Sequence, residues 1–283
     1  MSSQKADGPI AGQSALLPER QRDFLGLRIE DWIMPELVEF LDQAIVHHTP
    51  VHVWGISVPL LSLVRKYPEI VNFNQQFDIV VADGAGIPFF GRILGQRIRT
   101  HVGLSHVAQE MIELAARKGY RLLVLGATPE VNAEVGRRLL IKYPTLKLCP
   151  GIDGYYPPGL EGKVAQRVKD LKPDILLVGM SLPKKELFLL RWKEFMQVPV
   201  GIACGGYLDV LAGKTTLAPK VLEQIGMSWL WRFIQEPQRM FSYILLSEFL
   251  FVFYIFPLAM INRVVAPGRP FHIHNLFRVS KKS

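Results

Sequence analysis

From residue 51 onward, short apolar runs rich in β-branched residues alternate with stretches whose apolar positions recur every three to four residues. The runs Val51–Ile56, Phe77–Ala82, Arg121–Leu125, Leu146–Cys149, Asp174–Val178 and Val200–Ala203 predict strands. The stretches Gly86–Leu94, Leu104–Lys118, Pro129–Tyr143, Leu160–Leu171, Lys184–Gln197 and Pro219–Gln235 predict helices between them. In Leu104–Lys118, for example, Val107, Met111, Leu114 and Ala115 form one apolar face and Gly119 supplies the stop. This alternation predicts an α/β fold, a parallel sheet with helices on both faces. Its ligands belong at the carboxyl ends of the strands.

The pattern changes on either side of that core. Residues 1–22 are rich in Ser, Gln, Gly and Pro and predict a flexible lead. Residues 23–239 hold the predicted α/β domain. Beyond Glu236-Pro237, the segment Phe241–Ile261 is almost wholly apolar and aromatic, with Glu248 as its one charged residue. Arg239 precedes it, and Arg263, Arg269, Arg278, Lys281 and Lys282 follow. Its uninterrupted part, Phe249–Ile261, is short for a bilayer span and contains Pro257, so residues 240–283 predict a membrane-associating helical appendage, interfacial or re-entrant. Aromatic-rich runs also form protein contacts, which leaves a buried helix or a homo-oligomer open.

Composition narrows the class. A chain of 283 residues, 49% hydrophobic and 20% charged, buries a sizeable core. No apolar signal segment follows Met1, and Cys149 and Cys204 are too few for a disulfide framework or a zinc cage, so a reducing cytoplasmic setting is expected. The net charge of +8 suits nucleic acid, anionic lipid or a phosphate-bearing substrate until its charges are located.

Candidate chemistry lies at the strand-to-helix junctions. Asp83 ends the apolar run Val80-Val81-Ala82 and is followed by Gly84-Ala85-Gly86, small residues that let a ligand approach the backbone. An Asp there either caps the helix beginning near Gly86 or takes a proton from a substrate hydroxyl, and the pattern alone favours neither. A dinucleotide turn would place its third glycine at Phe89, so that fingerprint fails; no P-loop motif, Asp-x-Asp pair or His/Cys/Asp cluster with metal spacing occurs. No metal or cofactor is expected. The junction Gly179-Met180-Ser181-Leu182-Pro183-Lys184-Lys185-Glu186 opens a helix with Pro in an early position, where amides and lysines suit a phosphate, although solvated lysines are the ordinary reading. Gly126 closes another strand, and Cys204-Gly205-Gly206-Tyr207-Leu208-Asp209 either sets amides beside a ligand or makes a tight turn.

Taken in order, these pieces resemble the bacterial WecG/TagA/CpsF glycosyltransferase family. The resemblance rests on Phe24-Leu25-Gly26-Leu27-Arg28-Ile29, Ala82-Asp83-Gly84-Ala85-Gly86, Arg92-Ile93-Leu94-Gly95 and the segment from Gly179 to Glu186. It continues through Gly205-Gly206-Tyr207-Leu208-Asp209, Ala212-Gly213-Lys214, Ala218-Pro219 and the segment from Trp229 to Arg239. It implies a Rossmann-like α/β domain, a parallel sheet with helices on both faces, that carries out an inverting, metal-independent transfer from a UDP-sugar to a polyprenyl-diphosphate-linked glycan, in cell-envelope or exopolysaccharide biosynthesis. Partners would be the UDP-sugar, the lipid-linked glycan and the membrane surface rather than nucleic acid. The implied location is the cytoplasmic side of the inner membrane, peripheral or monotopic. The family's catalytic base falls on Asp83, and its C-terminal arginines fall on Arg232 and Arg239. Ser57, Gly84, Gly86, Gly126, Gly179, Lys185, Glu186, Gly205, Gly206 and Asp209 complete the expected substrate-binding set. Three departures bear on the sugar more than on the reaction: Gly55-Ile56-Ser57-Val58-Pro59 for the usual Thr-x-Asn-Pro-Glu, Lys185 for Gln, and Leu217 for Arg. A nucleotide-binding oxidoreductase and a non-catalytic, membrane-docked scaffold are the competing readings.

Overall fold

A computed structural model describes residues 19–157, 159–224, 227–241, 246–266 and 268–277. Its eight strands are β1 Gln21–Phe24, β2 Leu27–Glu30, β3 Val51–Ile56, β4 Ile79–Ala82, β5 Arg121–Gly126, β6 Lys147–Leu148, β7 Ile175–Gly179 and β8 Val200–Ile202. They form one sheet in the order β1-β2-β4-β3-β8-β7-β5-β6. Every pairing is parallel except β1 with β2. The helices are α1 Met34–Val46, α2 Val58–Leu63, α3 Ile70–Gln76, α4 Gly86–Ile93, α5 Leu104–Lys118, α6 Pro129–Lys142, α7 Glu161–Leu171 and α8 Lys184–Met196. Then come α9 Tyr207–Leu211, α10 Lys220–Gln224, α11 Ser228–Gln235, α12 Pro237–Met240, α13 Leu246–Leu250 and α14 Phe256–Val265.

The central strands are apolar at consecutive positions because both faces are covered. Trp54, Ile56, Val80, Ala82, Leu123 and Leu176 enter one core layer with α3, α7, α8 and the C-terminal segment. Val53, Ile79, Val81, Val124, Leu177 and Ile202 enter the other, with α1, α5 and α6. In α1, Leu37, Leu41, Ala44 and Ile45 recur at the spacing of one helical face. In α5, Gly119 ends the helix at φ 73° and returns its amide to the Ala115 carbonyl.

Two expectations change here. The predicted lead of residues 1–22 lies outside the described residues up to residue 18, whereas Gln21 and Arg22 already belong to β1. The single helix expected over Pro219–Gln235 is two helices, α10 and α11, with residues 225 and 226 outside the described set. Gln235 and Trp231 fasten α11 to Thr216 through bonds of 2.7 Å to the Thr216 amide and 3.1 Å to its hydroxyl.

The C-terminal segment is a continuous helical run, α13, a π-helical turn Phe251–Ile255 and α14. Its helix Ser247–Val265, 19 residues, is long and apolar enough to cross a membrane, in place of the shorter stretch expected. Pro257 lies just past the π-helical turn Phe251–Ile255, a local widening of the kind that accommodates a proline inside a helix, and the run continues through it. Phe251, Ile255 and Ala259 are buried against the domain, and Phe251 and Phe256 each lie 4.9 Å from the Phe90 ring. The Ser62 hydroxyl donates to the Ser247 carbonyl at 2.6 Å, Arg263 donates to the Ile93 carbonyl at 2.6 Å, and Ile273 donates to the Leu25 carbonyl at 2.8 Å. Phe249, Phe253, Tyr254, Ile261, Val264 and Val265 remain exposed on the outer side. Arg278, Lys281 and Lys282 lie outside the described residues.

Candidate active site

The carboxyl ends of β3, β4 and β8 open into a cavity of about 880 Å³, roofed by α11 and the C-terminal run. Neighbouring β3 and β4 leave the sheet here on one side, while β8 delivers the chain on the other, the kind of strand-end crevice where open α/β sheets bind ligands.

Asp83 follows β4 directly and lines this cavity. It does not cap α4, whose N-cap is Ala85; instead its Oδ1 accepts the Leu104 amide at the start of α5, 3.1 Å away. Its other oxygen has no hydrogen-bond partner among the described residues. Burial raises the Asp83 pKa above the usual carboxylate value, opposed by the Leu104 amide and by the electrostatic influence of the neighbouring His106, Lys185 and His101. The result is a base stronger than an exposed Asp, held in one orientation. The neighbouring glycines make room for it. A Cβ on Gly55 would lie 2.8 Å from the Asp83 Cβ, and Gly84 has φ 103°, a conformation that favours glycine.

Lys185 and Glu186, at the start of α8, reach the same cavity. Glu186 is fully buried, bonded to the Trp54 indole N–H at 3.2 Å and paired with the Lys185 ammonium. Lys184 turns away, donating to the Gly154 carbonyl at 2.6 Å with its ammonium over the Tyr156 ring. Of the two readings the sequence left open for this junction, a free-amide phosphate cradle is not supported, because the Lys184 and Lys185 N–H groups both point to the Ser181 carbonyl, at 2.9 and 3.4 Å.

Arg232 completes the cationic side. Its Nη2 donates to the Gly206 carbonyl at 3.1 Å and its Nε lies 3.7 Å from Glu236. A Cβ on Gly206 would come within 2.3 Å of that guanidinium, so glycine leaves the room that this placement of Arg232 uses. The Gly205 amide corrects another expectation: it donates to the Val178 carbonyl at 3.1 Å and is already committed to the fold.

Of the residues singled out in the sequence, Asp83, Ser57, Gly84, Gly86, Lys185, Glu186, Gly205, Gly206 and Arg232 line one cavity. Gly126, Gly179 and Asp209 do not. A Cβ on Gly126 would meet the Gly179 carbonyl oxygen at 2.3 Å and one on Gly179 would meet Leu208 at 2.3 Å, so both glycines serve the close packing of β5, β7 and α9. Asp209 is buried in α9, away from the cavity. The side chain of Arg239 lies outside the described ones. Sequence reading named Gly55 only as a departure from the family pattern, although a glycine inside a strand is the usual mark of a close approach, and did not assign His101, His106 or Glu248 to the cavity they line. It also passed over Thr216 and Gln235, which hold α11 in place. Among the described residues, no three His, Cys, Asp or Glu side chains are grouped as a metal site.

Comparison with known proteins adds an independent line. The model of the Glycosyl transferase WecG/TagA/CpsF family matches residues 22–263. Among curated proteins, the chain is similar to an N-acetylglucosaminyldiphosphoundecaprenol N-acetyl-beta-D-mannosaminyltransferase of Bacillus subtilis (strain 168), 25% identical over 62% of this chain and 66% of that protein. A protein of the same name from Staphylococcus aureus (strain MW2) is 27% identical over 77% of this chain and 85% of its own length.

Proposed function

The chain belongs to the WecG/TagA/CpsF glycosyltransferase family, and on that premise we propose that it transfers a hexose or N-acetylhexosamine from a UDP-sugar to a polyprenyl-diphosphate-linked glycan, with inversion. The observation that carries this reading is the meeting of Asp83, with one unengaged carboxylate oxygen, and the cations Lys185 and Arg232 around one strand-end cavity. The names of the relatives, which act on a diphosphoundecaprenol-linked sugar, support the acceptor class.

In a single displacement the acceptor hydroxyl attacks the anomeric carbon. Asp83 takes the hydroxyl proton as the new C–O bond forms, and the bond to the diphosphate breaks with its electron pair leaving on UDP. Arg232 and Lys185 meet the growing negative charge, each from beside a carboxylate, Glu236 and Glu186 respectively. No resident metal takes part in this scheme. The membrane-facing element is the outer stripe of the C-terminal run. Its inner stripe is packed on the domain and the flanking chain is tied back at Ser247 and Ile273, which supports a helix lying on the membrane surface, monotopic rather than spanning.

The test is turnover of a panel of UDP-sugars on a short polyprenyl-diphosphate N-acetylglucosamine, with and without chelator. The expected result is stoichiometric UDP release and an elongated lipid with at least one donor, at a rate the chelator leaves unchanged. No product with any donor would overturn the reaction, and loss of activity on chelation would overturn the metal-free scheme.

A further inference from the structure

The cavity has two chemically different sides. One carries the cations Lys185 and Arg232, each beside a carboxylate. The other is built by α2, α4 and the C-terminal run, and Phe89, Phe90, Phe249, Val252 and Phe253 make it apolar and aromatic. Among the described residues, Glu248 is the one charged side chain that lines the cavity from this second side.

Glu248 is half-buried, and its carboxylate has no hydrogen-bond or ion-pair partner among the described residues. The helix packed against α13 is α2, whose sequence Val-Pro-Leu-Leu-Ser-Leu holds no titratable group. Burial alone lifts the Glu248 pKa to about 7. A carboxylate held unpaired in an apolar wall opposes folding, so the fold does not account for it. What it offers is an acceptor of hydrogen bonds facing a space large enough for sugars.

The direction of the chemistry says which substrate meets it. In a single displacement the incoming hydroxyl and the departing diphosphate lie on opposite sides of the anomeric carbon. With the diphosphate drawn to Lys185 and Arg232, the acceptor enters from the aromatic side. That side is continuous with the exposed Phe249 and Phe253, where a substrate with a hydrocarbon tail would arrive. Resting on the transfer reading above, we propose that Glu248 is an acceptor-binding residue, taking hydrogen bonds from the hydroxyl or amide groups of the acceptor sugar.

The experiment compares full-length wild type with Glu248→Gln and Glu248→Ala, using the UDP-sugar that turns over and a short polyprenyl-diphosphate N-acetylglucosamine. Loss of a charge-assisted hydrogen bond should raise KM for the acceptor by roughly tenfold or more, with kcat and donor KM within about twofold. Neither variant should unfold at a lower temperature, since an unpaired carboxylate is being removed. Unchanged acceptor KM would overturn the assignment while wild-type turnover preserved the transfer reading. A lowered KM, meaning that Glu248 repels the acceptor diphosphate, or a fall in kcat alone, would also overturn it. Absence of turnover would sink the transfer reading; calorimetry of acceptor binding without donor then decides Glu248 separately, and equal affinity in wild type and variants overturns it.

Discussion

Asp83→Asn is expected to lower kcat by about 10²–10⁴-fold, the range that loss of a positioned general base produces. The substitution is close to isosteric, and an Asn side-chain oxygen can still accept the Leu104 amide that fixes Asp83 at the start of α5. What it removes is the ability to take a proton at the second oxygen. The pH behaviour separates this loss from misfolding. Because burial raises the folded pKa of Asp83, its contribution to stability is fully present below the unfolded carboxylate pKa and is lost as pH rises through the folded value. At neutral pH the Asn variant should therefore unfold at the same or a slightly higher denaturant concentration. For wild type, the acid limb of kcat/KM should lie above the ordinary Asp range, since the base works only when deprotonated. Near-normal turnover by the Asn variant would show that another group takes the proton.

Lys185→Met should have the largest effect on stability. Glu186 is fully buried, its Oε1 meets the Trp54 indole and the Lys185 ammonium, and its Oε2 has no hydrogen-bond partner. Stripping the partner from a buried ion pair leaves an uncompensated charge and costs about 3–5 kcal/mol. Equilibrium urea unfolding should show a loss of that size, and the double variant Lys185→Met with Glu186→Gln should recover most of it. Equal stability of the single variant would mean that water in the cavity solvates Glu186. Lys185 would then be free to serve the leaving group more fully than the pairing implies. The double variant also isolates chemistry from folding, because it restores neutrality without restoring a cation beside the diphosphate.

How much of this was legible in the chain depends on which forces set each part. The parallel strands were readable because burial on both faces forces unbroken apolar runs, and Leu104–Lys118 was readable because its apolar face and terminal glycine agree. The β1–β2 hairpin was not. Its two-residue turn uses Leu25 and Gly26 at φ 56° and 85°, and Leu-Gly carries little of the signal that Asn-Gly or Asp-Gly would give. The cavity edge followed from topology, and Asp83, Lys185 and Arg232 do line it. The glycines were harder, because sequence does not distinguish an approach to ligand from an approach to backbone. Gly84 and Gly206 border the cavity, whereas Gly126 and Gly179 exist for the contact between two strand ends. Which amides are free was equally hidden, since the Val178 carbonyl that takes the Gly205 N–H is distant in sequence. Glu248 stood in the sequence as the one charge in an apolar segment, and only the folding of that segment over the cavity gives it a place near the chemistry.

The central claim is a single displacement in this cavity with Asp83 as base. The measurement that bears on it most directly is the anomeric configuration of the new linkage, read by NMR on the elongated lipid made from a UDP-α-sugar. The mechanism predicts a β linkage throughout the reaction. An α linkage would contradict it, because retention requires a second displacement or a front-face route that a lone base at Asp83 does not provide.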